Sequence, residues 1–95
     1  MQLEVITPET KVFAGEVSAV QLPGIDGSFQ ILNGHAPIIS ALKGGSIKID
    51  LLENFEADEK TSQLIQTDSN PKLINISIKG GVIEMLNNKI IVLAE

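Results

Sequence analysis

The sequence predicts an all-β protein, a β-sandwich or flattened barrel built from many short strands. Three observations lead there. Apolar and polar residues alternate at period 2, most clearly Ile47, Ile49 and Leu51 against Ser46, Lys48 and Asp50, and Ile74, Ile76 and Ile78 against Asn75 and Ser77. That alternation puts one face of each strand in a core and the other in water. Turn-forming residues recur at short spacing: Thr7-Pro8, Pro23-Gly24, Asp26-Gly27, Lys43-Gly44-Gly45 and Asn87-Asn88. Many short strands punctuated in this way make a sandwich or barrel. No stretch carries a convincing apolar stripe at helical spacing.

In chain order, strands are expected at residues 2–6, 16–22, 28–32, 37–42, 46–52, 73–78, 82–86 and 89–93. Asn87-Asn88 joins the last two, because asparagine tolerates the positive φ that a tight hairpin needs. Segment 53–72 breaks the pattern. Glu53, Glu56, Asp58, Glu59 and Asp68 face only Lys60 and Lys72 there. It is read as a solvated acidic insertion within a single domain spanning 1–95. Either a short helix or a long hairpin loop would serve, with 63–67 contributing part of a strand.

The chain has 95 residues, and a domain of this size buries about 60–65% of the surface its unfolded form exposes. Docking onto a partner would add to its modest stability. Cysteine is absent, which excludes disulfides and thiolate metal ligands. The net charge is −5 and every positive side chain is a lysine. Without Arg, Trp or Tyr, the chain lacks bidentate phosphate clamps and the best base-stacking groups, so nucleic acid is not an expected partner. No apolar run approaches the roughly 18–20 residues of a membrane span. Residues 1–6 carry Glu4 and no basic residue, unlike a signal peptide.

Catalytic chemistry finds little to work with. His35 is the one histidine, and its nearest acid in sequence, Asp26, is nine residues away. Neither a histidine metal cluster nor a convincing serine triad follows. Glycines at 24, 27, 34, 44, 45, 80 and 81 punctuate strands and form no phosphate loop. No cofactor is expected. Gly34-His35-Ala36-Pro37 would place an amphipathic ring at a rigid bend, since proline is confined to strand starts, edges and bulges.

Read together, several runs carry a resemblance: Val5-Ile6-Thr7-Pro8-Glu9, Val12-Phe13-Ala14-Gly15-Glu16-Val17, Leu22-Pro23-Gly24-Ile25-Asp26-Gly27-Ser28-Phe29, Gly34-His35-Ala36-Pro37-Ile38-Ile39 and Ala41-Leu42-Lys43-Gly44-Gly45. In order and spacing they resemble the amino-terminal domain of the epsilon subunit of F-type ATP synthases. Ile78-Lys79-Gly80-Gly81-Val82-Ile83-Glu84-Met85 and Ile91-Val92-Leu93-Ala94-Glu95 are similar to that domain's last two strands.

The resemblance implies a β-sandwich of about ten strands, a non-catalytic part of the central stalk and a rotor subunit without a small-molecule substrate. Its partners would be the gamma subunit and the polar loops of the membrane c-type ring. Ion-driven rotation would then power ATP synthesis at the cytoplasmic face of a bacterial inner membrane, with peripheral attachment only. Carried over position by position, Thr7, Gly34, His35, Ala36, Pro37 and Ser40 would face gamma, Ser40 replacing a threonine frequent in the family. Asp26, Gly27, Ser28 and Phe29 would form the loop toward the ring, with Ser28 where many relatives have an acid. Gln30 and Asn33 replace a Gly and a Pro common in the family and would adjust the bend. Longer members continue into a C-terminal two-helix hairpin that restrains ATP hydrolysis. The chain is read as a short form without that hairpin. A free-standing ligand-binding β-sandwich module is the alternative, but such modules present aromatic platforms and this chain offers only Phe13, Phe29 and Phe55.

Overall fold

A computed structural model describes residues 1–95. Its seven strands are β1 (Gln2–Ile6), β2 (Lys11–Gly24), β3 (Gly27–Leu32), β4 (Ile38–Leu51), β5 (Ile65–Thr67), β6 (Leu73–Leu86) and β7 (Lys89–Ala94). They hydrogen-bond in the order β1-β7-β6-β4-β2-β3, with β5 added on β6. A further β1–β2 pairing closes the sheet into a flattened barrel. All neighbours are antiparallel except β1 and β7.

The all-β expectation holds, but seven strands form where about ten were expected. The sequence reading ends a strand at Lys43-Gly44-Gly45 and another at Lys79-Gly80-Gly81, as turns. Instead, β4 and β6 run straight through their glycine pairs for 14 residues each. One register holds from Ile38↔Met85 to Asp50↔Leu73. At Gly81 the backbone takes φ 152°, and a Cβ there would overlap the Leu93 carbonyl oxygen and lie 3.0 Å from the Ala94 Cα. The glycines therefore bend the ladder sharply without breaking it. β2 also starts earlier than expected: Lys11–Gly15 mixes the strand formers Val12 and Phe13 with Lys, Ala and Gly, and pairing with β1 organises it.

Bending lets β2, β4 and β6 each lend an arm to both layers. One layer contains β3, the later arms of β2 and β4, the early arm of β6, and β5. The other contains the early arm of β4, the late arm of β6, β7, β1 and the early arm of β2. Between them lies one core of 20 buried side chains, including Leu3, Val20, Ile31, Ile49, Ile76, Ile83 and Val92. The predicted alternation is realised in Ile47, Ile49 and Leu51, and in Ile74, Ile76 and Ile78, all buried. Asn87 and Asn88 take φ 52° and 64°, the hairpin turn anticipated between β6 and β7.

Segment 53–72 forms no helix. Phe55 packs against the core and its N–H donates to the Pro71 carbonyl at 2.7 Å. Ile65–Thr67 supply the expected strand. The insertion is thus a long hairpin loop pinned at both ends.

On the outside of β1, Glu4 ties three strands together. Its carboxylate lies 3.6 Å from Lys11 Nζ on β2 and 3.2 Å from Lys89 Nζ on β7. The hydrogen bond from Lys89 is the main cause that holds the Glu4 carboxyl below its ordinary pKa, with the charge of Lys11 adding to it. A depressed folded-state value contributes stability above the unfolded pKa of about 4.3, and that contribution is lost as pH falls through the folded value.

Three outcomes are expected. Gly81→Ala should destabilise by about 2–4 kcal/mol in denaturant titration, because strain and overlap add. Gly27→Ala, where a Cβ meets nothing within 4 Å, should cost only the positive-φ strain of about 1 kcal/mol. Melting temperature should drop on acidification below about pH 4.3, and Glu4→Gln should flatten the part of that drop that the Lys11 and Lys89 pairs produce. An unchanged acid limb in Glu4→Gln would remove this linkage.

Candidate protein-interaction faces

The two layers turn different chemistry outward. Across the layer with β3 runs a row of amides and a lysine: Gln30, Gln21, Lys48, Asn75 and Gln66, paired strand to strand. Across the other layer the corresponding row is Ala41, Val82, Leu93 and Ile6. Leu93 is 56% exposed and Val82 44%, and on the next row Ile39 reaches 73%. Ile25, 60% exposed, extends this band, since its N–H donates to the Ala41 carbonyl at 3.2 Å. Contiguous exposed apolar side chains of this kind mark a surface that a partner covers.

Among the apolar residues at the start of β4, only Ile39 points to solvent; Leu42 belongs to the core and Ile38 is half-buried. Sequence reasoning missed Val82, Leu86 and Leu93 as surface residues. A signal was available. Ile90-Ile91-Val92-Leu93-Ala94 is apolar in both phases, which is the pattern of a strand covered on both faces.

Gly34-His35-Ala36-Pro37 sits at the β6–β7 end of this layer. The Asn88 side chain fixes the loop: Gly34 N–H donates to Asn88 Oδ1 at 3.0 Å, and Asn88 Nδ2 donates to Asn33 Oδ1 at 2.8 Å. His35 N–H donates to the Leu32 carbonyl at 3.1 Å. His35 Nδ1 lies 2.6 Å from the Ala36 carbonyl. A carbonyl only accepts, so Nδ1 carries the hydrogen and Nε2 is left free. Pro37 lines a shallow apolar hollow of about 380 Å³ with Ile39 and Leu86. Ser40 follows on β4, half-buried, its hydroxyl 3.5 Å from the Ala41 carbonyl.

Thr7 stands apart from these residues. It is buried in the β1–β2 turn, where its hydroxyl donates to the Thr10 carbonyl at 3.2 Å and accepts from Thr10 N–H at 3.3 Å. Gln2, near Asn88, is five extended residues away, roughly 17 Å. The structure thus groups His35, Ala36, Pro37 and Ser40 and leaves Thr7 at the far end of the layer.

Asp26, Gly27 and Ser28 form the exposed tip of the β2–β3 hairpin. Phe29 faces inward, its ring lying where a Cβ on Gly24 would approach within 2.8 Å. Only glycine admits that stacking. The tip and the His35 loop therefore lie at opposite ends of β3. All three phenylalanines pack against the core, which leaves the amide face without an aromatic platform.

The sequence profile described as ATP synthase, Delta/Epsilon chain, beta-sandwich domain matches residues 1–60. Similar proteins include an ATP synthase epsilon chain of Chlorobium limicola, 38% identical over 94 residues, covering 99% of this chain and 88% of that protein. Another, of Chlorobaculum tepidum, is 37% identical over 93 residues, covering 98% and 86%. Against an epsilon chain of Desulforamulus reducens the identity is 32%, and this chain spans 58% of its length. A chain in the cryo-EM structure of the Tetrahymena thermophila mitochondrial ATP synthase central stalk and c-ring shares the fold, with TM-score 0.69 over 99% of this chain and 62% of that one, at 17% identity. With the profile over most of its length, relatives at 37–38% identity and the flattened barrel in common, the chain belongs to the ATP synthase epsilon-chain family, in its delta/epsilon β-sandwich domain.

Proposed function

We propose that the chain is a non-catalytic rotor subunit that joins the gamma subunit to the membrane c-type ring, so that ion-driven rotation reaches the catalytic head. The asymmetry of its two faces carries this reading. A mechanical joint needs a broad apolar contact on one side and stiffness behind it, and the Ile39–Val82–Leu93 face provides the first. The common core supplies the second, because close-packed interiors are barely compressible.

Gamma covers the apolar layer and its His35 end. There His35, Ala36, Pro37 and Ser40 meet it on a loop already locked by Asn88, which lowers the ordering cost of binding. Thr7 contributes to the gamma side by shaping the β1–β2 turn, since its hydroxyl is engaged internally. The ring is approached by Asp26, Gly27 and Ser28, with Phe29 anchoring the tip to the core. Opposite ends of β3 thus serve opposite neighbours. A torque-bearing contact of this kind buries more than the roughly 1,600 Å² of a standard specific complex. Residues 1–95 hold the subunit at the cytoplasmic face of a bacterial inner membrane through its partners.

Co-purification with gamma tests the reading. Ile39→Asp and Leu93→Asp should each weaken gamma binding about tenfold or more, and His35→Glu about tenfold. Gln66→Ala, on the amide face, should leave it unchanged. Asp26→Lys should alter attachment to the ring while sparing gamma. Loss of gamma through Gln66→Ala, with Ile39→Asp neutral and its melting curve intact, would reverse the assignment of faces.

A further inference from the structure

β2 changes layers near Glu16, and its early arm keeps only β1 as a strand neighbour. Met1 and Val17 exchange both backbone hydrogen bonds, at 2.8 and 3.2 Å. Antiparallel alternation then makes Leu3↔Gly15 and Val5↔Phe13 the bonded pairs. The N–H and C=O groups of Ala14 and Glu16 consequently point away from β1. The Glu16 carbonyl accepts from Leu52 N–H at 3.3 Å. Ala14 has no strand beside it.

In front of Ala14 opens a groove of about 590 Å³. Its apolar floor includes Phe13, Phe55 and Ile65, each half-buried. Ile65 belongs to β5, whose outer edge is also free, since β5 pairs only with β6. Glu16, Glu53, Glu56 and Asp58 line the groove against two lysines, Lys11 and Lys60. Lys11 is already engaged by Glu4 and Glu16 lies 3.6 Å from the Met1 ammonium, which leaves Glu53, Glu56 and Asp58 facing Lys60. The groove therefore presents unpaired strand backbone, an apolar floor and a surplus of negative charge along one line.

We propose that this groove takes a short extended segment of a partner protein, apolar at alternate positions with Lys or Arg between them, added to β2 as a further strand. Strand addition of this type draws affinity from main-chain hydrogen bonds and selectivity from the alternate side chains. Ala14 supplies one donor and one acceptor. Apolar side chains of the segment enter between Phe13 and Phe55, and its cations meet Glu53, Glu56 and Asp58. Anionic segments are disfavoured by the same carboxylates.

The test uses an acetylated and amidated heptapeptide of alternating Lys and Val against the isotope-labelled 95-residue chain, followed by NMR. Saturable shifts are expected at Ala14, Phe55 and Ile65, with exchange of the Ala14 amide slowed about tenfold. Replacing each Lys of the peptide by Glu should weaken binding about tenfold or more. N-methylation of the peptide amides on one edge should do the same, by removing ladder donors. Shifts confined to the Ile39–Leu93 face, absence of saturation at millimolar peptide, or equal binding of the N-methylated peptide would overturn the proposal. Ala14→Pro removes the groove-facing donor and should abolish binding. Should that variant misfold, the double substitution Glu56→Lys with Asp58→Lys leaves β2 intact and should shift preference toward the Glu peptide; unchanged preference would also overturn it.

Discussion

Between Ile38↔Met85 and Asp50↔Leu73, β4 and β6 keep one register while both strands turn from one layer into the other. The two layers are therefore not separate sheets pressed together by side chains alone. They share a backbone ladder, and sliding one layer over the other would break it. Each ladder bond contributes a net ~1 kcal/mol, but a one-residue slip would also move every core isoleucine of these strands to the solvent side. Register, burial and the bend are thus one constraint. Gly81 is where it is tightest, because a side chain there would meet the β7 backbone.

The two outer faces follow from that constraint. Once Ile47, Ile49, Ile74 and Ile76 face inward, period 2 forces Lys48 and Asn75 outward on one layer. Beyond the glycine bend the same strands turn Ile83 and Met85 inward, and Ile39, Val82 and Leu86 are left outside. The polar face is favourably hydrated as it stands. The apolar face is not, and family membership in the ATP synthase epsilon chains gives a reason for a partner to cover it.

Stiffness at the two ends of β3 has local origins. Asn88 serves both as a positive-φ hairpin residue and as the side chain that clamps Gly34 and Asn33. One asparagine therefore couples the β6–β7 turn to the His35 loop. At the other end, the Phe29 ring lying over Gly24 fixes the Asp26–Ser28 tip to the core. Both loops are therefore held in place by contacts within the chain itself. Glu4, bridging β2 and β7 through two lysines, stiffens the closing seam at neutral pH.

Much of this was legible in the chain. Period-2 alternation at 46–51 and 73–78 fixed which isoleucines are buried, and Asn87-Asn88 announced the last hairpin, because both signals are local and depend on one strand or one turn. The runs around Thr7, His35 and the glycine pairs pointed to the family. Strand count was not legible: Gly44-Gly45 and Gly80-Gly81 look like turns until the opposite strand is seen holding register through the bend. The inward commitment of Thr7, the clamp from Asn88 to Gly34 across 54 residues, and the free edge at Ala14 were equally hidden. Local sequence decides which way a residue faces along its strand. Only tertiary pairing decides which backbone groups are left without a neighbour, because that depends on where distant strands end.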